Sequence, residues 1–165
     1  MPDIRQAVLI DAPAEKVFGA LTTQEGLSAW WTPDVNAKPQ RDSVARFSFG
    51  PTYTKEMKVT ELRPPAFLRW HCLAGEAEWL GTDISFQLEG GGKEQLLRAH
   101  REISDQLQQG SGEQRTMLVM HHEGWRDYTL MFAECSYTWG QFMRGLKSFC
   151  ETGSGTPWPT QHRRS

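Results

Sequence analysis

The stretch YTLMFAECSYTWGQFMRGLKSFC, residues 128–150, decides the fold of this chain. Large apolar and aromatic side chains recur in it at alternating spacings of four and three residues: Tyr128, Phe132, Cys135, Trp139, Phe142, Leu146 and Phe149. This spacing predicts one long amphipathic helix with a continuous, mostly aromatic stripe. Because a coiled-coil seam prefers aliphatic residues and more heptads, we expect the stripe to pack against a β-sheet.

Six segments upstream of this helix are typical of β-strands. They alternate polar and apolar residues or are bounded by glycine and proline, as in an antiparallel meander: 4–10, 44–49, 53–62, 67–74, 77–89 and 116–125. A helix is predicted over 11–23, broken by Gly26, and a second short helix or turn over 27–34. Residues 34–43 are polar and predict a loop. The fold class is therefore predicted to be α+β, with a six-stranded antiparallel sheet covering the long helix on one side.

The segment 90–115 interrupts this pattern and is bounded by glycine at both ends. Within it, residues that could form one side of a helix are spaced by four, three and four positions: Leu96, His100, Ile103 and Leu107. This spacing predicts a short amphipathic helix inserted in a loop, with a polar hairpin as the alternative. We expect a single domain over 1–152 that carries this insertion, followed by a flexible C-terminal tail over 153–165.

The composition excludes several classes of protein. A formal charge of −2 predicts no electrostatic attraction to nucleic acid or to anionic membranes. The N-terminal residues lack the pattern of a signal peptide, and no apolar run approaches ~20 residues, so we expect a cytoplasmic protein without an integral membrane segment. The three cysteines lack CxxC spacing and fit reduced, buried thiols. Neither a P-loop nor a Gly-x-Ser-x-Gly nucleophile motif is present, and we expect no cofactor.

The sequence HHEGW, residues 121–125, raises the question of a metal or acid/base site. A zincin motif needs a second histidine three residues after the glutamate, and Arg126 stands there instead. Adjacent histidines on a strand point to opposite faces, so both cannot bind one ion without a bulge, and we expect no metal site. His122 is predicted to face inward beneath the helix, where its imidazole could contact a bound ligand or act as a general base. The alternative is a buried histidine that hydrogen-bonds within the protein.

Three stretches resemble the START-like, or SRPBCC, superfamily, and in particular its branch of proteins similar to the activator of the heat-shock-protein-90 ATPase. They are IDAPAEKVFGALTTQEGLSAWWTPD (10–34), VTELRPPAFLRWHC (59–72), and HHEGW followed by SYTWGQFMRGLKSFCETGSG (136–155). The resemblance implies a helix-grip fold, in which the sheet curves around the long C-terminal helix and leaves a cavity between them. Members of the superfamily include carriers of lipids and hydrophobic ligands, polyketide cyclases and cochaperone-like proteins, so the fold alone does not define the function.

With this resemblance, the aromatic residues favour a pocket over a solid core, although the residues alone leave both interpretations open. We expect a hydrophobic or amphipathic small molecule, lipid-like in character, to bind between the sheet and the helix. Seven side chains are predicted to contact it: Trp30, Trp70, Phe86, Met120, His122, Trp139 and Phe142. One alternative is a cyclase or hydrolase that uses His122 in the same cavity, although no catalytic residue is assigned and a non-catalytic role is favoured. The other is a cochaperone-like domain with a chaperone partner, which would bind through an exposed apolar patch of Leu96, Ile103 and Leu107.

Overall fold

The computed structural model describes residues 2–163. Seven strands form one antiparallel sheet in the order β1-β7-β6-β5-β4-β3-β2. Their bounds are β1 (Ile4–Ile10), β2 (Asp34–Asn36), β3 (Val44–Ser48), β4 (Thr54–Arg63), β5 (Phe67–Ala74), β6 (Asp83–Gly92) and β7 (Gln114–Glu123). Strands β2 to β7 thus pair in chain order as a meander, and β1 pairs with the far edge of β7.

Five α-helices accompany the sheet in the described part of the chain. Their bounds are α1 (Ala14–Thr22), α2 (Gln24–Trp30), α3 (Lys93–Ala99), α4 (Ser104–Gln108) and α5 (Leu130–Thr152), with a 3₁₀ turn at Arg101–Ile103. The long helix α5 begins after Thr129, whose hydroxyl accepts a hydrogen bond from the Phe132 amide at 3.1 Å. It ends at Gly153, which adopts the left-handed conformation with φ 85°. The predicted α+β class and long C-terminal helix are confirmed.

The prediction of six strands is wrong because residues 34–36, which lie in the predicted loop, form strand β2. This strand has only three residues, which is too short for alternation to be recognised in the sequence. Its central residue Val35 is buried opposite Phe47 of β3, while Asp34 and Asn36 are exposed. The strand covers the edge of β3 and completes the seven-stranded sheet.

Two further boundaries differ from the prediction. Residues 77–82 form a turn, and β6 begins only at Asp83 and continues through the three glycines 90–92. Gly26 lies inside α2 and does not break α1; the break comes at Thr23, whose backbone is extended. A Cβ added at Gly26 would lie 2.5 Å from the Ala20 Cα, so glycine is needed there for the close packing of α2 on α1.

The main core lies between the sheet and helices α1, α2 and α5, and it is dominated by aromatic rings. Trp31 is stacked between Trp30, at a centroid distance of 5.9 Å, and Trp70, at 5.6 Å. Trp139 of α5 joins the same group, with its ring 5.5 Å from that of Trp31. Rings at these separations and tilts interact favourably beyond the area that they bury. From Phe132 to Phe149 the predicted stripe therefore packs against this core, whereas Tyr128 precedes α5 and is 77% exposed.

The insertion forms a second, smaller core on the face of the sheet opposite α5. Its predicted helix is interrupted at His100, whose backbone is not helical (φ −139°, ψ 75°), so α3 and α4 are separate. Leu96, Ile103 and Leu107 are almost fully buried against Leu9 and Met117. The prediction that these three leucine and isoleucine side chains form an exposed patch is therefore wrong. They anchor the insertion instead.

The segment that follows α5 packs against the main core through Trp158. The Trp158 amide donates a hydrogen bond to the Trp31 carbonyl oxygen at 2.8 Å, and the Trp158 ring packs edge-on against Phe49. These contacts place Trp158 beside Trp31 and Phe49, at the edge of the main core. The flexibility of this tail stays a prediction. Over residues 2–163, none of the helices combines the length and the hydropathy required to span a bilayer.

Candidate ligand-binding cleft

A cleft of about 310 Å³ opens between the N-terminal half of α5 and the end of the sheet formed by β3 and β4. Helix α5 contributes one wall through Met131, Glu134, Cys135, Thr138, Trp139 and Phe142. The opposite wall comes from the end of α2, the sheet, the β5–β6 turn and the C-terminal segment: Trp31, Phe49, Tyr53, Lys55, Glu76, Trp79, Trp158 and Gln161. The cleft lies between the sheet and the helix, where the family resemblance implies a cavity.

Local structure explains how these side chains reach the cleft. In β4, buried residues alternate with partly exposed ones, so Lys55 shares the inner face with Met57 and Val59. Lys55 stands nearest the end of the strand and therefore meets the cleft, whereas Met57 and Val59 pack in the core. Trp79 reaches the same place from the β5–β6 turn.

The polar centre of the cleft is the pair Lys55 and Tyr53. Lys55 is only 8% exposed, and its Nζ donates a hydrogen bond to the Tyr53 hydroxyl oxygen at 2.8 Å. The ammonium lies 3.6 Å from the centroid of the Trp79 ring and 5.3 Å from that of Phe49. Rings so placed attract a cation through their negative faces. Among residues 2–163, no carboxylate pairs with this ammonium.

Burial perturbs both groups in the direction that disfavours charge. It lowers the pKa of Lys55 from 10.5 to about 8, against smaller opposing effects of nearby Cys135, Cys72 and Glu76. It raises the pKa of Tyr53 to about 12. Near neutral pH Lys55 is therefore still positively charged and Tyr53 is neutral. Because Lys55 is buried, its charge has lost much of its hydration, which is unfavourable. A perturbed pair of this kind in a cleft marks a candidate functional site.

We expect Lys55→Met to stabilise the protein. At roughly 1.4 kcal/mol for each pKa unit, the buried charge costs about 3 kcal/mol at pH 7; after the lost ring and tyrosine contacts, the variant should gain about 2 kcal/mol. In the unfolded wild-type chain Lys55 stays protonated up to about pH 10.5, whereas in the native protein it loses its proton near pH 8. The destabilisation by the buried charge therefore decreases as the pH rises from about 8 to 10.5. Urea denaturation at pH 7 and pH 9.5 should show the gain shrinking. A variant less stable than wild type at pH 7 would contradict this account.

His122 lies behind the cleft and not in its wall. It is fully buried, and Trp139 Nε1 donates a hydrogen bond to its Nδ1 at 3.1 Å. Its Nε2 lies 2.9 Å from the Thr82 hydroxyl, which itself donates to the Trp79 carbonyl oxygen. Nε2 must therefore carry the proton and donate to Thr82. Burial, with smaller effects of Lys55 and His121, lowers the pKa of His122 to about 3, so the ring is neutral and both nitrogens are engaged within the protein.

The structure separates the seven predicted ligand contacts into two groups. Trp139 and Phe142 line the cleft. The other five are packed in the core behind it, each at most 2% exposed: Trp30, Trp70, Phe86, Met120 and His122. Sequence reasoning missed Lys55, Tyr53 and Trp158. For Lys55 a signal existed, since it is in phase with the apolar residues Met57 and Val59 of the same strand.

His121 lies on the outer face of the sheet, as predicted, opposite in direction to His122. Its Nε2 is 3.2 Å from an Asp3 carboxylate oxygen, and its Nδ1 is 3.9 Å from Glu123. Arg69 pairs with Glu123 at 2.7 Å on the same face, so these residues form a partly solvated ion network. Over residues 2–163, no three histidine, cysteine or acidic side chains are grouped so that they could hold a metal ion.

A sheet that packs against a long C-terminal helix, with a cleft at the open end between them, defines a helix-grip domain of the START-like superfamily. A family model for proteins described as activator of Hsp90 ATPase homolog 1-like matches residues 11–151. The chain therefore belongs to this family, and the resemblance seen in the sequence is confirmed.

Solved structures support the same assignment. The chain is similar to the solution structure of the Aha1 dimer from Colwellia psychrerythraea, with 32% identity, a TM-score of 0.73, and coverage of 94% of this chain and 100% of that one. Protein BH1534 from Bacillus halodurans is 20% identical, with a TM-score of 0.64 and coverage of 92% and 98%. DynU16, from the dynemicin biosynthetic locus, is 20% identical, with a TM-score of 0.66 and coverage of 93% and 48%. At 20% identity the similarity shows the fold alone. No curated protein matches the chain.

Proposed function

We propose that this domain binds a hydrophobic or amphipathic small molecule in the cleft between α5 and the β3–β4 end of the sheet. The observation that carries the proposal is an open cleft of about 310 Å³ lined largely by aromatic rings and Met131, together with the polar or charged side chains of Tyr53, Lys55, Glu76, Glu134, Thr138 and Gln161. Small-molecule sites in proteins typically have volumes of about 300–1,000 Å³ and this kind of lining. The cleft is at the lower end of this range, which favours a compact ligand.

The arrangement of His122 favours binding over catalysis. A general base needs a free nitrogen within reach of the substrate, and its pKa should lie near the working pH. Both nitrogens of His122 are hydrogen-bonded within the protein, and its pKa is lowered to about 3. A cyclase or hydrolase that depends on this histidine is therefore disfavoured.

A cochaperone role is the second candidate and is supported by the description of the matching family. The apolar residues of the insertion cannot mediate it, since Leu96, Ile103 and Leu107 are buried. We therefore rank it below ligand binding.

Binding can be tested by titration with the neutral fluorescent probe N-phenyl-1-naphthylamine. We expect saturable binding with one site for each chain. Thr138 lines the cleft, and Thr138→Trp should fill its mouth and weaken probe binding at least tenfold, roughly 1.4 kcal/mol. Ala133→Trp is the matched control, since Ala133 is exposed on the same helix and does not line the cleft, and it should bind as the wild type does.

Two outcomes would contradict the proposal. One is a wild-type protein that shows no saturable binding. The other is unchanged binding in Thr138→Trp, which would place the probe elsewhere on the protein.

A further inference from the structure

The polar pair in the cleft has unused hydrogen-bond donors. The Tyr53 hydroxyl oxygen accepts from Lys55 Nζ at 2.8 Å and from the Glu76 amide at 3.0 Å, so both of its lone pairs are occupied. Its own O–H has no acceptor among residues 2–163. An ammonium has three N–H donors, and within the described residues only the one to Tyr53 has a hydrogen-bonding acceptor. The pair can therefore offer further donors to a molecule in the cleft, but no free acceptor.

The charge of the pair leads to the same conclusion. Lys55 is nearly buried, and the ring faces of Trp79, Phe49 and Tyr53 offset only part of its lost solvation. Glu76 and Glu134 belong to the lining, but neither lies within 4 Å of the ammonium. A purely apolar ligand would displace water from these donors and leave them unpaired, which is unfavourable. An anionic oxygen acceptor would supply both the missing hydrogen bonds and the missing opposite charge.

We infer that the cleft selects amphipathic carboxylic acids, with the carboxylate accepting hydrogen bonds from the Lys55 ammonium and the Tyr53 hydroxyl. The apolar part of the ligand lies against Trp139, Phe142 and Trp158, which line the same cleft. This inference rests on the proposed binding function and adds the chemical class of the ligand. The residues that give the class, Lys55 and Tyr53, lie next to one another on the same side of strand β4 and its preceding turn.

The test compares decanoate with 1-decanol, which differ mainly in the charge of the polar end. Each ligand displaces N-phenyl-1-naphthylamine at pH 7, and the ratio of the two dissociation constants is measured. We expect the wild type to bind decanoate at least tenfold more tightly than 1-decanol. In Lys55→Met the ratio should fall to near one, and Tyr53→Phe should reduce it several-fold.

Lys58→Met is the matched control. Lys58 lies three residues along β4 on the outer face, so its replacement changes the net charge of the protein by the same amount without altering the cleft. It should keep the wild-type ratio. If Lys58→Met lowered the ratio as much as Lys55→Met, the preference would come from long-range charge, and the inference would be wrong.

The pH dependence gives a second readout. Decanoate binding should weaken above about pH 8, where Lys55 loses its proton in the free protein, and 1-decanol binding should not. The other titratable groups around the ammonium come from the turn before β4, from β5, the β5–β6 turn, β7 and α5: Tyr53, Cys72, Glu76, His122, Glu134 and Cys135. Burial raises the pKa of Tyr53 and of the Cys72 and Cys135 thiols, which favours the uncharged form of each group around pH 8.

The outcomes separate the inference from the function on which it rests. If neither the probe nor either ligand binds, the proposed binding function fails. If the probe binds but the wild type prefers 1-decanol, or binds both ligands equally, the carboxylate inference fails and the binding function stands. If Lys55→Met kept the full preference for decanoate, the carboxylate inference would also be wrong.

Discussion

Replacing His122 with alanine is expected to lower the free energy of unfolding by about 4 kcal/mol at pH 7. The substitution removes a fully buried ring from between Trp79, Trp125 and Trp139, whose centroids lie 4.6, 4.9 and 6.1 Å away. A loss of this size is typical of removing a large side chain from a core. It also leaves the Trp139 indole N–H without its acceptor, which adds the cost of a buried unsatisfied donor. Urea denaturation would measure the change.

The same measurement at lower pH tests the neutral state of His122. The unfolded imidazole gains a proton below about pH 6.5, whereas the native one stays neutral until about pH 3. The wild type therefore loses stability as pH falls through this window, at up to roughly 1.4 kcal/mol for each pH unit, and the alanine variant does not. The difference between the two proteins should shrink to about 1 kcal/mol near pH 4.

His121 provides the matched control for this experiment. It is the adjacent residue on the same strand, but it lies on the outer face among Asp3 and Glu123. His121→Ala should cost less than about 1 kcal/mol, as expected for a partly exposed side chain with polar contacts at the surface. Equal losses of unfolding free energy at the two positions would contradict the buried, hydrogen-bonded state of His122. A pH-independent difference between wild type and His122→Ala would contradict its neutral state.

The elements that the sequence predicts well are those specified by local periodicity. The stripe of α5 and the alternation of β5 each repeat often enough to define which face is buried. The direction of His122 follows from the same alternation, and its inward orientation is confirmed. Strand β2 could not be recognised, because three residues contain a single buried position and its pairing with β3 is set by tertiary contacts.

The candidate site is harder to predict, because its shape depends on contacts between distant segments. Trp158 is held in the cleft by residues far away in the sequence: its amide donates to the Trp31 carbonyl oxygen, and its ring packs against Phe49. The alternation of β4 does place Lys55 on the inner face, but a lysine at such a position is rarely buried, so the pattern alone favours a surface residue. Conversely, Trp30, Trp70 and Phe86 are aromatic residues of the kind that line pockets, but in the structure they are buried in the hydrophobic core. Aromatic content identifies the region of the site and not its lining.

The buried charge of Lys55 also fits a general relation between function and stability. A native protein gains stability most easily by replacing groups that are poorly solvated and unpaired, and such groups persist where they serve a ligand. Lys55→Met is expected both to stabilise the domain and to remove the preference for an acid. A single substitution with both effects would be difficult to explain if the lysine had only a structural role.

The second large effect is expected at Arg115, which anchors the insertion. Its side chain is 3% exposed and donates to four backbone carbonyl oxygens at 2.7–3.2 Å, that of Leu107 at the end of α4 and those of Gln109, Gly110 and Gly112 in the loop that follows. Asp11 holds the same loop from the other side, accepting from the Ser111 and Gly112 amides. Arg115 Nε lies 3.5 Å from an Asp11 carboxylate oxygen, so the two charges compensate each other.

Arg115→Met should therefore cost about 3 kcal/mol, since it leaves these carbonyl oxygens and the Asp11 carboxylate without their cationic partner. The loss should be concentrated in the insertion, because Arg115 lies on the same face of β7 as Met117 of the insertion core, whereas Leu118 and Met120 of the main core lie on the other face. Hydrogen exchange should show faster exchange of the amides of 93–113 with little change in α5. Arg101→Met, at an exposed position in the same insertion, removes the same charge and should leave exchange unchanged. Uniform loss of protection across α5 and the insertion in Arg115→Met would mean that the two cores unfold as one cooperative unit.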